Sequence, residues 1–234
     1  MAPASLTVLG VEGLPEIVPG SSLGALLADR APVEQSDVVV VTQKIVSKAE
    51  GRVVTVDPAD PDAKRRLAES EAVRVLRRRG ELVITETRHG FVCANSGVDL
   101  SNVAEGSAVL LPVDPDRSAR GIRDAVRAIR GLEIGVVISD TFGRAWRRGL
   151  VDVAIGCAGI AAVVDLRGTL DGSGRMLAAT EMCVADEIAA AAELVMGKAA
   201  HVPVAIVRGV DRSWLRESSV AAEIVRPYGE DLFR

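Results

Sequence analysis

Residues Gly135 to Gly149 read Gly-Val-Val-Ile-Ser-Asp-Thr-Phe-Gly-Arg-Ala-Trp-Arg-Arg-Gly, an apolar run followed by polar and basic residues. Val136–Ile138 predicts a short buried strand, which we expect to end at Ser139-Asp140-Thr141. A carboxylate and a hydroxyl would then lie at the strand end, and hard cations such as magnesium prefer such oxygen ligands. Guanidinium groups, which suit phosphates and carboxylates, follow at Arg144, Arg147 and Arg148. The stretch indicates a site for an anionic, metal-bound substrate; the alternative is a strand ending in a capped turn with a solvated basic loop.

The composition limits which kinds of protein this chain can form. Its 234 residues suit one large domain or two small ones. Hydrophobic residues make up 48% and aromatic residues only 3%, so we expect a core of Val, Ala, Leu and Ile. The formal net charge of -4 and the scarcity of aromatic rings argue against nucleic acid as a partner.

The cysteines and the N-terminal sequence predict a soluble protein of the cytoplasm. Cys93, Cys157 and Cys183 are odd in number, far apart and without a CxxC pair, which disfavours a disulfide framework or a structural zinc site. The N-terminus, Met1-Ala-Pro-Ala-Ser5, has neither the basic nor the apolar region of a signal peptide. No apolar run approaches the roughly 20 residues that a membrane helix needs, so we expect no membrane partner.

Hydrophobic periodicity and turn residues predict alternating strands and helices. Besides the strand at Val136–Ile138, strands are expected at Leu6–Leu9, Val38–Val41, Arg52–Val56, Glu81–Thr87, Phe91–Ala94, Ala108–Val113, Val151–Ile155, Ala161–Leu166 and Pro203–Val207. Helices are expected from Ser21 or Ser22 to about Asp29, over Ala63–Arg79, from Asp114 to about Arg130, and from Thr180 to about Met196. Hairpin signals are mixed with helical crossovers, so the predicted fold class is α+β, or mixed α/β.

Several familiar catalytic patterns are missing from the sequence. It contains no Walker A loop, no GxGxxG opening a helix, no GxSxG and no HExxH. With only His89 and His201, a histidine-rich metal centre is excluded. His89 lies near Cys93 in the sequence and the two could form a nucleophile pair, although a lone cysteine on a strand more often serves packing.

The positive indications of chemistry are spread along the chain. Asp99 and Asp140 each fall in a polar segment near a predicted strand end, and carboxylates without histidines are what a phosphate-bridging cation requires. Lys44, Lys48 and Asn102 are candidates for contacts to a phosphate or a base. Structural roles stay open, because Asp99 could hydrogen-bond its own turn and Lys48 could be an ordinary surface residue.

A series of motifs in order then resembles one known family. They are Gly13-Leu-Pro-Glu-Ile17, Val41-Thr-Gln-Lys-Ile-Val-Ser-Lys-Ala-Glu-Gly-Arg52, Arg88-His-Gly90, Gly97-Val-Asp-Leu-Ser-Asn102, Leu111-Pro-Val-Asp-Pro-Asp116, Ser139-Asp-Thr-Phe-Gly-Arg-Ala-Trp-Arg147, Ala185-Asp-Glu-Ile188, Glu193-Leu-Val-Met-Gly-Lys198 and Pro203-Val-Ala-Ile-Val-Arg-Gly209. From about Leu6 to the C-terminus the chain resembles the coenzyme F420-0:L-glutamate ligases, also called F420 gamma-glutamyl ligases.

The resemblance implies a fold and an assembly. The implied fold has mixed, largely antiparallel sheets with flanking helices, in an intertwined homodimer. We expect residues 1–234 to form a single ligase domain. In mycobacteria-like members a nitroreductase-type domain follows, and because this chain ends at Asp231-Leu-Phe-Arg234, we expect that domain to be absent.

The resemblance also implies a reaction. GTP phosphorylates the terminal carboxylate of F420-0, the amine of L-glutamate attacks the acyl phosphate, and an amide forms as phosphate leaves. Further glutamates are added through gamma-linkages. Two divalent cations, magnesium or manganese, hold the phosphates, and potassium is a further candidate cofactor. A metal-dependent phosphatase or phosphotransferase and a non-catalytic nucleotide-binding protein are the alternatives.

Residue roles carried over from the family complete the prediction. The implied catalytic residues are Asp99, Asp140 and Arg144, with Asp99 and Asp140 as ligands of one metal and Thr141 as a ligand of the second. The implied nucleotide-binding residues are Leu14, Pro15, Glu16, Ile17, Gln43, Lys48, Asn102, Met196, Gly197 and Lys198. Two positions depart from the family pattern: Ser96 stands where relatives often have Ala, and Lys198 stands where some have Gln. A protonated lysine cannot ligate a metal, so the ligand set of the second metal stays open at this position.

Overall fold

The structure, a computed structural model, describes residues 5–232. Its strands are β1 (Thr7–Gly10), β2 (Val38–Thr42), β3 (Val53–Thr55), β4 (Ala72–Arg79), β5 (Leu82–Thr87), β6 (Val92–Ala94), β7 (Ser107–Val109), β8 (Gly135–Gly143), β9 (Leu150–Ala158), β10 (Val164–Asp165), β11 (Glu181–Met182) and β12 (Val204–Arg208). Its α-helices are α1 (Leu23–Arg30), α2 (Gln43–Ala49), α3 (Ala63–Ser70), α4 (Pro115–Arg130), α5 (Val184–Met196) and α6 (Val220–Glu223). The mixture confirms the predicted α+β class.

A five-stranded sheet in the order β1-β12-β2-β8-β9 forms the centre of the molecule. Only β2 and β8 run parallel, and the other neighbours are antiparallel. Val38–Val41 is fully buried because both faces of the sheet are covered: Val39 and Val41 join the core with α1 and α4, and Val38 and Val40 join the core with α5. A strand buried on both sides needs a continuous apolar run rather than alternation, which is what the sequence supplies.

Helix α4 fixes one face of this sheet. Asp114 caps it by accepting a hydrogen bond from the Arg117 backbone N–H at 2.9 Å, and Gly131 ends it in the left-handed conformation. Its first turn approaches β9 so closely that a Cβ on Gly156 would lie 2.4 Å from the Pro115 carbonyl carbon. Gly156 therefore does not end the strand, as its glycine identity suggested, but lets β9 continue under the helix to Ala158.

A smaller sheet, β4-β5-β6, lies outside the central sheet and corrects one prediction. The helix expected over Ala63–Arg79 is wrong beyond Ser70, where the chain turns and Ala72–Arg79 becomes β4. Pairing with β5 supplies the backbone hydrogen bonds, and Arg74 adds a cross-strand ion pair to Glu86 at 2.7 Å. Helix propensity is a weak preference, and β-branched valines in this segment suit the strand as well.

Other elements also differ from the prediction. Strand β7 ends at Val109 rather than Val113, and β10 covers only Val164–Asp165 of the strand expected over Ala161–Leu166. Helix α2 occupies Gln43–Ala49, where no helix was expected, and α5 begins at Val184 rather than Thr180. Strand β8 does not stop at Ser139 but continues to Gly143, because β9 folds back and pairs with the extension. Asp140 and Thr141 therefore lie within a strand rather than in a loop. Within residues 5–232, no helix is both long and apolar enough to cross a membrane.

Candidate functional site

The predicted site residues gather at the edge where β2 and β8 lie side by side. The two strands are parallel, with Thr42 opposite Ser139, and the carboxyl ends of parallel strands are a common location for binding sites. Beyond this point Thr141 lies opposite Asp152 of β9, after a register shift between Ile138 and Ser139. Such β-bulges are frequent beside active sites, where they redirect side chains.

One side of the β8–β9 hairpin carries a cluster that we call the Lys198 cluster: Ser139, Thr141, Asp152, Glu193 and Lys198. The buried Asp152 carboxylate accepts hydrogen bonds from Ser139 Oγ at 2.9 Å and Thr141 Oγ1 at 2.5 Å. Lys198 Nζ lies 3.1 Å from Asp152 Oδ1 and 2.9 Å from Glu193 Oε2, and it also hydrogen-bonds Thr141 Oγ1. One ammonium of the protein is therefore shared by two carboxyl groups.

The pKa values of the two carboxyl groups in this cluster are shifted in opposite directions. Burial alone would raise the pKa of Asp152, but hydrogen bonds with Glu193 and Thr141 and the charge of Lys198 hold that pKa below its usual value. Burial and the neighbouring Asp152 raise the pKa of Glu193. Two adjacent carboxyl groups beside one ammonium behave in this way because like charges resist joint ionisation.

Asp140 is different, because within residues 5–232 it forms no ion pair. Neighbours on a strand point to opposite faces, so its side chain leaves β8 on the side away from Thr141. Burial, followed by the charges of Asp152 and Asp99, raises the pKa of Asp140 to about 7 against the opposing effects of the Thr141 backbone and Lys198. A carboxyl group whose pKa is strongly raised beside other carboxylates is a candidate functional group.

Asp99 contributes the second carboxylate near Asp140. It pairs with Lys44 of α2, whose Nζ lies 2.8 Å from Asp99 Oδ2, and it accepts the Ser101 backbone N–H at 2.7 Å. Lys44 also donates to the carbonyl and hydroxyl oxygens of Ser101, each at 2.8 Å. Burial opposes ionisation, but Lys44 and Ser101 hold the pKa of Asp99 below its usual value. The structural role left open for Asp99, hydrogen bonding within its own turn, is therefore present, together with an ion pair to Lys44.

Lys48 follows Lys44 by one helical turn, so both lysines lie on one side of α2. Lys48 Nζ forms an ion pair with Glu16 Oε1 at 2.8 Å. This contact holds the loop of Leu14, Pro15, Glu16 and Ile17 against α2, with Ile17 buried and Leu14 packed on the core. The predicted nucleotide loop and the predicted phosphate lysine are thus neighbours.

The other predicted residues differ in their access to a ligand. Gln43 is buried at 2% exposure and its Oε1 accepts a hydrogen bond from Ser47 Oγ at 3.0 Å. Asn102 is exposed in the loop that follows Asp99, with a positive φ of 55°. Arg144 is exposed at the tip of the β8–β9 hairpin, where its guanidinium donates to the Arg148 carbonyl at 3.2 Å.

Lys198 lies two residues after the end of helix α5, which places it at the site. Met196 is the last residue of the helix and is buried at 1% exposure. Gly197 follows with a φ of 56°, a backbone conformation that side chains disfavour, and turns the chain towards the hairpin. Met196 and Gly197 therefore position Lys198.

The cysteines take no part in this chemistry. All three are free thiols, and burial raises the pKa of each to about 12. A thiol must ionise to act as a nucleophile. His89 stacks on Phe91 and its Nε2 lies 2.9 Å from the Pro112 carbonyl oxygen, so the possible pair of His89 and Cys93 has no support in the structure.

The donor set fits one divalent cation but not a second at Thr141. In the part of the chain that the structure describes, no three His, Cys, Asp or Glu side chains form a metal-ligating group. Magnesium commonly takes only one or two carboxylates and completes its ligands with water and substrate phosphates, so Asp99 and Asp140 suffice for one cation. The Thr141 hydroxyl is already bonded to Asp152 and Lys198.

Two residues of the site were not predicted from the sequence: Asp152 and Glu193. Asp152 interrupts the apolar strand Leu150–Ala158, and a lone carboxylate in such a run is rarely buried without a partner. That pattern could have indicated it. Glu193 opens the motif Glu193-Leu-Val-Met-Gly-Lys198, but only Met196, Gly197 and Lys198 of that motif were assigned a role.

Comparisons with known proteins show that the chain is similar to a class of ligases. Three curated relatives bear the name coenzyme F420:L-glutamate ligase, which describes an amide-forming ligase. The protein from Methanothermobacter thermautotrophicus is 38% identical, with 98% of this chain and 99% of the relative covered. The protein from Methanopyrus kandleri is 39% identical over the same shares, and that from Archaeoglobus fulgidus is 40% identical over 97% and 96%.

A family model described as F420-0:Gamma-glutamyl ligase matches residues 13–209. The chain therefore belongs to the F420-0:gamma-glutamyl ligase family of amide-forming enzymes.

Proposed function

We propose that this protein is a GTP-dependent ligase that adds L-glutamate to coenzyme F420-0, through an acyl phosphate and with further gamma-linked additions. The observation that supports this best is the placement of Asp140. Its carboxylate lies beside Asp99 and Asp152 without a cation of its own, and its pKa is raised to about 7. A phosphate-bound divalent cation would relieve that repulsion.

Asp99 and Asp140 would hold this cation, either magnesium or manganese. When bound, the cation neutralises charge on the phosphates and orients the transferred phosphoryl group. Lys44 already pairs with Asp99 at 2.8 Å, so it fixes that carboxylate at the edge of the site. Positioning and charge stabilisation account for most of the catalysis of phosphoryl transfer, and these residues supply both.

Lys48 and the Leu14–Ile17 loop would bind the nucleotide. The ion pair of Lys48 with Glu16, at 2.8 Å, brings the loop and an ammonium to the same place. Lysine binds phosphate as a point charge, and the exposed Pro15 and Glu16 leave the loop open to a ligand. Arg144 at the hairpin tip and Asn102 lie on exposed loops from which they could contact the substrates.

The reaction then consists of two transfers. A carboxylate oxygen of F420-0 attacks the γ-phosphorus of GTP, and the bond to the GDP oxygen breaks. The amine of L-glutamate attacks the acyl carbon, phosphate leaves with the bonding electrons, and the nitrogen loses a proton. Neither step needs a protein nucleophile, in agreement with the three cysteines, whose thiol pKa values are all raised to about 12.

We also propose that the enzyme works as a homodimer in the cytoplasm. The tip of the β8–β9 hairpin exposes Trp146 at 91% and Leu150 at 68%, and large exposed apolar side chains close together often mark an interface. The free cysteines suit a reducing compartment. Light scattering should give about twice the chain mass of 24.5 kDa; a monomer at micromolar concentration would contradict the dimer.

Mass spectrometry of F420-0 after incubation with GTP, L-glutamate and manganese tests the proposal. We expect a product heavier by one glutamate residue, with one GDP and one phosphate formed per addition. Asp29→Asn is a matched control, because Asp29 is exposed and pairs only with its neighbour Arg30 among its described ion pairs. Phosphate release that does not depend on L-glutamate would favour a phosphatase, and GTP binding without turnover would favour a non-catalytic protein.

A further inference from the structure

Lys198 occupies a place in the structure that suits a cation. Its Nζ is surrounded by three oxygens, from Asp152 at 3.1 Å, from Glu193 at 2.9 Å and from Thr141. An ammonium has three N–H donors, and each of these oxygens can accept one. The lysine is thus held as a bound cation would be, by two carboxylates and a hydroxyl.

The same oxygens leave little capacity for a metal ion. The Thr141 hydroxyl donates to Asp152 Oδ1 and accepts from Lys198, while Asp152 Oδ2 accepts from Ser139 at 2.9 Å. A divalent cation at Thr141 would have to displace Lys198 or lie against its positive charge. Displacement would break both ion pairs of Lys198, and a metal ion beside the ammonium would place two positive charges together, so either event costs energy.

The other side of β8 differs in this respect. Among the described residues Asp140 has no ion pair, whereas Asp152 and Glu193 each form an ion pair with Lys198. The chain thus supplies a cation to Asp152 through Lys198 and to Asp99 through Lys44, but among the described ion pairs it supplies none to Asp140.

We propose that the Lys198 ammonium replaces a second divalent cation, so that the protein takes up one metal ion, at Asp99 and Asp140, with its nucleotide. This inference rests on the proposed function. The Lys198 side chain is 60% exposed, so its charge acts on the bound phosphates although its three donors are engaged within the cluster.

Counting bound manganese tests this directly. Equilibrium dialysis with a non-hydrolysable GTP analogue should give one Mn²⁺ per chain for the unaltered protein. Lys198→Gln removes the positive charge and places a neutral carbonyl oxygen beside Thr141, Asp152 and Glu193, so we expect two Mn²⁺ per chain. Lys198→Arg keeps the charge and should bind one, as should the control Lys64→Gln on α3.

The manganese dependence of product formation gives a second readout. Turnover of the unaltered enzyme should follow a single saturation curve in Mn²⁺, whereas Lys198→Gln should need a second, weaker binding event. Two Mn²⁺ in the unaltered protein would overturn the inference and leave the ligase proposal intact. One Mn²⁺ in a folded Lys198→Gln protein would also overturn it. No Mn²⁺ in the unaltered protein would overturn both this inference and the metal-dependent function on which it rests.

Discussion

The carboxylates on the two sides of the β8–β9 hairpin differ in how their charge is balanced. Asp152 is buried at 2% exposure with two hydroxyl donors and the ammonium of Lys198. Asp140 is its near neighbour on the adjacent strand, but burial, followed by repulsion from Asp152 and Asp99, raises its pKa to about 7. A carboxylate that the fold has already neutralised stabilises the structure, whereas one that it leaves unneutralised is available to a ligand.

The largest expected effect comes from Asp140→Asn. The substitution keeps the shape and removes the charge that would hold a cation, and losing one electrostatic contributor commonly lowers turnover by about 10²–10³. Stability should be unchanged or higher, because an unpaired carboxylate is lost. Glutamate addition and the melting temperature measure the two effects, with Asp29→Asn as the control. Retention of more than about a tenth of the turnover at saturating manganese would exclude Asp140 as a ligand.

Asp152→Asn, in contrast, should lower the stability of the protein. It breaks the ion pair with Lys198 and leaves buried donors of Ser139 and Thr141 with a weaker acceptor. We expect a loss of roughly 1–3 kcal/mol in the free energy of unfolding, which lowers the melting temperature by several degrees. Chemical denaturation checks this. If Asp152→Asn were as stable as the unaltered protein and Asp140→Asn were the less stable variant, the comparison of the two sides would be wrong.

Lys48→Ala should affect nucleotide binding more than folding. If Lys48 exchanges Glu16 for a phosphate oxygen, the charged hydrogen bond contributes roughly 1.5–3 kcal/mol, equivalent to a GTP affinity about 10- to 100-fold weaker. The dependence of turnover on glutamate should change less. Calorimetry with GTP measures the affinity, and Lys64→Ala is the matched lysine control. An unchanged affinity would remove Lys48 from the nucleotide site.

The smallest effect is expected at Arg216 and Glu223, an ion pair that shares no residue with the Lys198 cluster. Arg216 holds the Glu223 carboxylate through two hydrogen bonds, at 2.6 and 2.9 Å, and lowers the pKa of Glu223 to about 2 from the ordinary 4.5. Because the folded-state pKa is depressed, this stabilisation is present above about pH 4.5 and is lost as the pH falls towards 2. After solvent screening we expect about 1 kcal/mol. Glu223→Gln should therefore lower stability at pH 7 and converge with the unaltered protein in acid.

The sequence predicted those parts of the fold in which local pattern and tertiary structure agree. Val38–Val41 and Val136–Ile138 were identified as buried strands because a sheet covered on both faces needs unbroken apolar runs. Asp114, Pro115 and Gly131 marked the ends of α4 because capping is a local interaction. The prediction for Ala63–Arg79 failed beyond Ser70 because hairpin pairing with β5, which begins at Leu82 directly after β4, outweighed the local helix preference of the segment.

The residues of the candidate site also fall into two groups, those that the sequence indicated and those that only the tertiary structure identifies. Asp99, Asp140 and Lys48 follow apolar runs or fall in the motifs that mark the family, so the sequence indicated them. Asp152 and Glu193 acquire their roles only when β9 and α5 meet Lys198, through contacts 46 and five positions apart along the chain. Burial and charge balance at such contacts depend on the tertiary structure, which residue spacing does not describe.

Manganese-dependent thermal stability of the unaltered protein and of Asp140→Asn, with a non-hydrolysable GTP analogue, tests the central claim most directly. A ligand at 100 times its Kd stabilises a folded protein by about 2.7 kcal/mol. Manganese should therefore raise the melting temperature of the unaltered protein by several degrees, and that of Asp140→Asn much less. Without manganese the variant should be at least as stable as the unaltered protein. An equal manganese-induced shift in both proteins would contradict the claim that the unbalanced carboxylate of Asp140 is the cation site.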